Sequence, residues 1–398
     1  MHTIRKTALA AAVALGLGSA AHAAAPVKLA FISDMSGVYS AVDGPGGATA
    51  IRMAIKDFGG KVLGRPVELM TFDHQNKADL AAGKAKEFFA QDGADMLIAG
   101  TNSGTALAME PIAASYKKPF FVVGAGASTI VGKMCTPYTV MYAYNTTALA
   151  RGTATAIVKQ GGKSWYFLTA DYAFGKSLEA DAAKIVKEQG GTVAGQVLAP
   201  LASSDFSSYL LQAQASKAQV LGLANAGGDA VNSIKQATQF GVTKSMKLAG
   251  LLLFLTDIHS IGLPSAQGLY LTTPWYWKLD AASEAWAKRY YAHTHAMPTF
   301  LQAADYSAAM TYLKAVKAAG TTDGAKVMAE LHKMKVDDMF THDGRLAANG
   351  LLIHDMYLAQ VKTPAQSKQD WDYYNIVQKI PGAEAFGSIA AYGCADAK

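Results

Sequence analysis

The residues best placed to do chemistry in this chain sit in two short turns. Thr101-Asn102-Ser103 follows one apolar run, and Gly124-Ala125-Gly126-Ala127-Ser128-Thr129 follows another, each ahead of what reads as a helix start. Free backbone N–H groups at a helix start, with a hydroxyl beside them, suit a carboxylate. Either Ser103 or Ser128 alone would serve equally well as a helix cap. Two such turns on neighbouring strand ends point to ligand binding as well. The loops 34–47 and 170–175 share their chemistry of glycines, hydroxyls and aromatics, with few charges.

Catalytic constellations are missing from the sequence. It holds no GxSxG elbow and no HExxH motif. Gly162-Lys163-Ser164 resembles the end of a phosphate-binding loop, but the first glycine of that motif falls at Ile157 and a strand follows instead of a helix. Gly124-Ala125-Gly126 opens like a dinucleotide turn, yet Thr129 stands at its third glycine. His293 and His295 point to different faces of a helix. His342-Asp343-Gly344 reads as a turn, and the adjacent Asp337 and Asp338 as solvated carboxylates. A hydrolase would need a histidine base beside Ser103 or Ser128, and His74 is the only one among the early strands. The chain is therefore expected to bind a ligand without catalysis, metal or cofactor.

The elements that must position these turns alternate short apolar runs with amphipathic stretches. Strands are predicted at 27–33, 67–72, 95–99 and 119–123, separated by helices over 49–58, 78–90 and 105–114. The rhythm restarts around 138–147, with strands at 164–169, 193–198, 219–224 and 246–253, and a late strand at 351–359. That pattern predicts an α/β fold of two doubly wound parallel-sheet lobes, with the binding cleft between them. Ligand loops then lie beyond the carboxyl ends of the strands.

Export is written at the start of the chain. Arg5 and Lys6 precede the apolar run 7–20, and Ala21-His22-Ala23 supplies small residues before a cut at Ala24. A signal peptide over 1–23 is expected, hence a periplasmic location. Its removal takes away Arg5 and Lys6 and no acid, so the formal charge falls from +6 to +4. That charge is mild for the length, and no basic-aromatic stripe suggests a nucleic-acid partner. Past the signal, no apolar stretch reaches the length of a membrane helix. In an oxidising compartment the two cysteines, Cys135 and Cys394, predict a disulfide, with two buried thiols as the alternative.

Taken together, the residues resemble a known family, the type I periplasmic solute-binding proteins, and within it the branched-chain amino-acid-binding group of ABC importers. The marks are Ser36-Gly37 after the first strand, Ala54-Ile55-Lys56-Asp57 with Gly59-Gly60, Gly64-Arg65-Pro66-Val67, and Asp73. Gly100 to Ser103, Gly126-Ala127-Ser128, Asp171 with Phe174-Gly175, and Asp305-Tyr306-Ser307-Ala308 continue in the same order. The resemblance implies a hinged pair of lobes, 24–144 with 275–335 and 145–274 with 336–365, followed by a tail over 366–398 packed on a lobe. It implies that Ser103 and Ser128, with Asn102 and Ala127, hold a ligand carboxylate. Phe174 and Tyr172 would cover the ligand from the second lobe, and Tyr39 and Phe300 would add to the wall. The implied partner is an ABC permease in the inner membrane, served by a monomer.

The departures from that family bear on the ligand. Amino-acid binders hold the ammonium group with an acid after the second lobe's last strand, helped by a tyrosine. Here Leu251-Leu252-Leu253-Phe254 occupies the first place and Ala226-Gly227-Gly228 lies near the second, with Asp229 and Asp257 as displaced substitutes. An ammonium buried without a partner would cost several kcal/mol. The expected ligand is an aromatic or other carboxylate without an amine, with Trp275-Tyr276-Trp277 as added stacking surface; amino-acid binding, or ligand presentation to a membrane receptor, is the alternative.

Overall fold

The structure, a computed structural model, describes residues 25–395, so the expected signal peptide lies outside the described residues. The first layer of elements is β1 (Val27–Ser33), α1 (Gly44–Asp57), β2 (Lys61–Val62), β3 (Arg65–Asp73), α2 (Ala78–Ala90), β4 (Met96–Ala99), α3 (Ser103–Ser115), β5 (Phe120–Val122) and β6 (Thr139–Met141). Their sheet runs β2-β3-β1-β4-β5-β6, parallel throughout except at the short β2. A second set follows: α4 (Thr146–Lys159), β7 (Ser164–Ala170), α5 (Ala173–Glu188), β8 (Thr192–Ala199), α6 (Ser207–Ala215), β9 (Val220–Ala224), α7 (Gly227–Gln239) and β10 (Lys247–Gly250). Its sheet, β10-β9-β7-β8, is wholly parallel. These are the two doubly wound lobes the sequence predicts.

The remaining chain covers and joins them. It comprises α8 (Leu255–Ile261), α9 (Leu263–Ala266), β11 (Tyr270–Thr273), α10 (Ala281–Thr294), α11 (Phe300–Ala319), α12 (Gly324–Lys333), β12 (Lys335–Val336), β13 (Gly344–Leu346), β14 (Leu352–Ile353), β15 (Met356–Val361), β16 (Tyr374–Ile380) and α13 (Gly382–Phe386). Helices α10 and α11 pack back on α1, whereas β11 lies against α4 and β10. Two antiparallel sheets, β11-β15-β16 and β12-β13-β14, complete the fold. No helix among the described residues is long and apolar enough to cross a membrane.

Sequence explains these elements locally. The central strands β4 (MLIA) and β5 (FFV) are buried at every residue, because helices cover both faces of a parallel sheet. Edge strand β8 instead alternates exposed and half-buried positions. Helix α11 starts with a capping box between Thr299 and Gln302 and stops at Gly320, whose φ of 66° is left-handed.

Three expectations need correction. The strand expected over 246–253 ends at Gly250, and Leu251 to Phe254 form a buried turn into α8. The strand expected over 351–359 breaks at His354-Asp355, where the Asp355 carboxylate accepts the Gly382 N–H and draws the chain aside. No helix starts at Ser128. Successive turns replace it, with Ile130 N–H on the Ala127 carbonyl and Gly132 N–H on the Thr129 carbonyl. The Val131 carbonyl accepts from the Asn349 side chain at 2.9 Å and so is lost to a helical ladder.

The C-terminal region does more than rest on a lobe. Its β16 pairs with β15, and the Trp371 carbonyl accepts from Trp277 Nε1 at 2.9 Å and Tyr276 at 3.2 Å. Cys394 is joined to Cys135 by a disulfide, as the cysteine count predicts.

Candidate functional site

Each sheet reverses its winding direction once, between β1 and β4 in the first and between β7 and β9 in the second. Such switch points open a crevice at the carboxyl ends of the strands. The two crevices face each other across a narrow cleft. Every lining residue follows a strand end: Tyr39 after β1, Thr101 to Ser103 after β4, Gly124 after β5 and Tyr144 after β6. From the second lobe come Tyr172 and Phe174 after β7, Ala226 after β9, and Leu252 and Phe254 after β10. None is an acid or a base.

The first-lobe wall is built by cross-linked turns. Asn102, at φ 78°, caps α3 with its side-chain oxygen, which accepts from Gly104 N–H at 2.8 Å and Thr105 N–H at 3.3 Å. Asparagine tolerates this left-handed backbone where most side chains do not. Ser103 is not the cap: its buried Oγ accepts from Gly126 N–H at 3.2 Å and Ala127 N–H at 3.1 Å. The two turns approach so closely that a Cβ on Gly124 would lie 2.6 Å from the Gly100 carbonyl carbon. His74 supports the same turn through Nε2, 2.9 Å from the Thr101 carbonyl, while its Nδ1 accepts from Asn76 N–H at 3.0 Å. Burial pushes this imidazole below its usual pKa range, which keeps it neutral. His74 is therefore occupied by backbone, and Ser103 has no base beside it.

The tyrosines meet across the cleft. The buried Asp34 accepts from Gly37 N–H, Tyr39 N–H and the Asn76 side chain, which fixes the loop that carries Tyr39. The Tyr39 hydroxyl lies 2.6 Å from that of Tyr172. Burial raises the pKa of both hydroxyls, so both stay protonated. This bond joins the turn after β1 to the turn after β7 across the cleft. Tyr172→Phe is expected to remove it, lower ligand affinity up to about tenfold and enlarge the ligand-free protein in small-angle scattering. An unchanged radius of gyration and affinity would deny the bond that role.

Five of the expected site residues, Tyr39, Asn102, Ser103, Tyr172 and Phe174, come together in this cleft. Ala127, Ser128 and Phe300 are not among its lining residues. Ala127 contributes its N–H to Ser103. Ser128 turns toward α5, donating its N–H to Thr146 Oγ1 at 3.1 Å and Ser177 Oγ at 3.2 Å. Phe300 stands one layer back, stacked on Phe254 at 4.9 Å. Trp275, Tyr276 and Trp277 are buried away from the cleft, where Trp275 Nε1 is held by Ser283 and the Met339 carbonyl. Sequence reasoning missed Tyr144, whose hydroxyl donates to the Gly124 carbonyl at 2.9 Å, and Phe254. Both follow a strand end, the one signal that could have found them.

The two acids weighed as ammonium partners also lie outside the lining. Asp257 accepts from Phe254 N–H at 3.0 Å, and burial pushes its carboxyl up to about 7. Asp229, 2% exposed, accepts from Ala202 N–H at 3.1 Å with Oδ2, whereas Oδ1 is buried without a partner. Burial raises it to about 6. Among the described residues no cluster of His, Cys, Asp and Glu could hold a metal.

Known proteins match this architecture. The family model described as periplasmic binding protein covers residues 26–369. A periplasmic binding protein of solved structure from Burkholderia mallei is 58% identical, with a TM-score of 0.93 over 94% of this chain and 99% of that one. A branched chain amino acid ABC transporter periplasmic ligand-binding protein from Burkholderia xenovorans LB400 is 41% identical, with a TM-score of 0.83 over 94% of this chain and 100% of that one. The curated Leu/Ile/Val-binding protein homolog 6 of Brucella abortus is 29% identical over 218 residues, 54% of this chain and 55% of its own. The chain thus spans about half the length of the curated relatives it matches. All three relatives are described as binding proteins and none as an enzyme. With the family model matched along most of its length, this chain belongs to the periplasmic binding protein family.

Proposed function

We propose that the protein is the periplasmic substrate-binding component of an ABC importer, and that it captures a small carboxylate with an apolar or aromatic body and no amine. The observation that carries this reading is the cleft lining, which pairs hydroxyl and backbone donors with Phe174, Leu252, Phe254 and Tyr144 and contains no charged side chain. The Asn102 cap takes the N–H groups of Gly104 and Thr105, which leaves the Ser103 N–H and the Thr101 hydroxyl at the start of α3 for a carboxylate. An ammonium group in the same space would face leucine and phenylalanine, at a cost of several kcal/mol.

In this reading the lobes are 24–144 with 275–335 and 145–274 with 336–365, and the chain crosses between them near 144, 274 and 335. Solute enters the open cleft, the first lobe fixes its carboxylate, and closure brings Tyr172 and Phe174 over it. The closed form is selected by its greater affinity for the ligand. It then docks as a monomer on a membrane permease.

One observation favours a second reading, amino-acid binding. The orphaned Oδ1 of Asp229 belongs to a carboxyl whose charge is felt by both Tyr39 and Tyr172, so a small side-chain shift would give an ammonium group a partner. A thermal-shift screen separates the readings, because a ligand at a hundred times its Kd adds about 2.7 kcal/mol to stability. Melting temperatures that rise with aromatic and aliphatic carboxylates support the first reading. A rise only with leucine, isoleucine or valine supports the second.

A further inference from the structure

Beside the cleft lies a larger recess, of about 240 Å³, with no lining residue in common with the cleft. Three parts of the chain wall it. Ser128 and Lys133 come from the turns after β5, and Arg151 and Lys184 from α4 and α5. Phe386 and Tyr392 come from the C-terminal segment, which the Cys135–Cys394 disulfide holds close to Lys133.

The charges in this recess are unbalanced. Three cations, Lys133, Arg151 and Lys184, face one acid, Asp181. Asp181 Oδ2 is already occupied, accepting from Thr146 Oγ1 at 2.6 Å and Thr147 Oγ1 at 3.1 Å. Lys184 reaches Glu188 only at 3.9 Å between exposed side chains, a contact of little strength. Arg151 is partly buried, and its Nε is buried with no hydrogen-bond partner. Arg151 also lines the recess with no salt bridge among the described residues, so its guanidinium can take an acceptor that enters there. Its planar fork matches a carboxylate. Ile185 and Phe386 add an apolar wall that a bare inorganic anion would leave uncovered.

We propose that this recess is a second ligand site, for a small organic anion carrying two or more carboxylates. Arg151 binds one carboxylate, Lys133 and Lys184 bind the other, and Ile185 and Phe386 cover the carbon skeleton. The net excess of two positive charges sets the preference for a dianion or trianion over a monocarboxylate. The site shares no lining residue with the uncharged cleft.

The test is calorimetric titration of citrate into the whole protein. Saturable binding that weakens as ionic strength rises is expected. Lys133→Gln with Lys184→Gln should weaken it about tenfold or more, and Arg151→Gln should abolish it. Both lysines are exposed, so the double variant tests the site even where the arginine change disturbs folding. Phe174→Ala, in the cleft, should leave citrate binding as it is. Absence of citrate binding, binding indifferent to the lysine changes, or loss of binding in Phe174→Ala would overturn the proposal. Inorganic phosphate binding as tightly as citrate would overturn the assignment to an organic polycarboxylate.

Discussion

Ser103→Ala is expected to destabilise the protein by about 2–6 kcal/mol and to weaken ligand binding by at least about tenfold. The argument rests on what the hydroxyl does. Its Oγ is the acceptor for two buried N–H groups, those of Gly126 and Ala127, and so ties the turn after β5 to the start of α3. Alanine leaves both donors unsatisfied where no water reaches, at about 1–3 kcal/mol each. The Gly124 backbone, packed directly on Gly100, then loses the constraint that aims it into the cleft. Urea denaturation reports the first effect and calorimetry the second. A stability change below about 0.5 kcal/mol would mean that these N–H groups find other partners.

The second large effect is a dependence on pH set by Glu110. This residue is 1% exposed on α3; its Oε1 accepts from Thr139 Oγ1 at 2.6 Å, and Oε2 is buried with no partner. Burial pushes its carboxyl from the usual range up to about 8. A carboxyl raised in the folded state binds its proton more tightly there than in the unfolded chain. Its contribution to stability is therefore complete below about pH 4.5 and is lost as pH rises through about 8. Within that window the slope approaches about 1.4 kcal/mol per pH unit. Asp229 and Asp257 shift in the same direction and steepen the fall. Glu110→Gln removes one proton's share. The variant should be more stable than the parent by about 4 kcal/mol at pH 8, with a flatter profile from pH 5 upward. Denaturation midpoints measured across pH would show this directly. Parallel curves for parent and variant would mean that Glu110 titrates normally.

Elements governed by burial on both faces were legible in the sequence. Runs such as MLIA at 96–99 and FFV at 120–122 are too short and too apolar for anything but central strands, and the loops after them had to face the cleft. For that reason Asn102 and Ser103 could be placed at the cleft from their loop, whereas Tyr172 and Phe174 are reached through the family resemblance. Residues whose placement depends on a distant partner were not legible. Ser128 turns away because Ser177 and Thr146 capture its N–H, and those partners sit on helices of the other lobe. The carbonyl that would have continued a helix there is taken by Asn349, far along the chain. Phe300 falls one layer short of the cleft because Phe254 stands in front of it, and no local pattern ranks two phenylalanines by depth. Tyr144 was hidden in a stretch read only as the passage between lobes. The cysteine pair was legible because compartment and count suffice to suggest it, with no knowledge of the path between 135 and 394.

The central claim is that the cleft accepts a carboxylate and rejects an amine, and a matched pair of ligands tests it most directly. Hydrocinnamate is phenylalanine without its amine, and isocaproate is leucine without its amine. Calorimetric titration of all four into the ligand-free protein isolates the ammonium group from shape and apolar area. With no charged residue in the lining, each amine-free acid should bind about a hundredfold or more tightly than its amino acid. Leucine or phenylalanine binding more tightly than its amine-free partner, with the advantage lost in Asp229→Asn, would contradict the account and place an ammonium site beside the tyrosine pair.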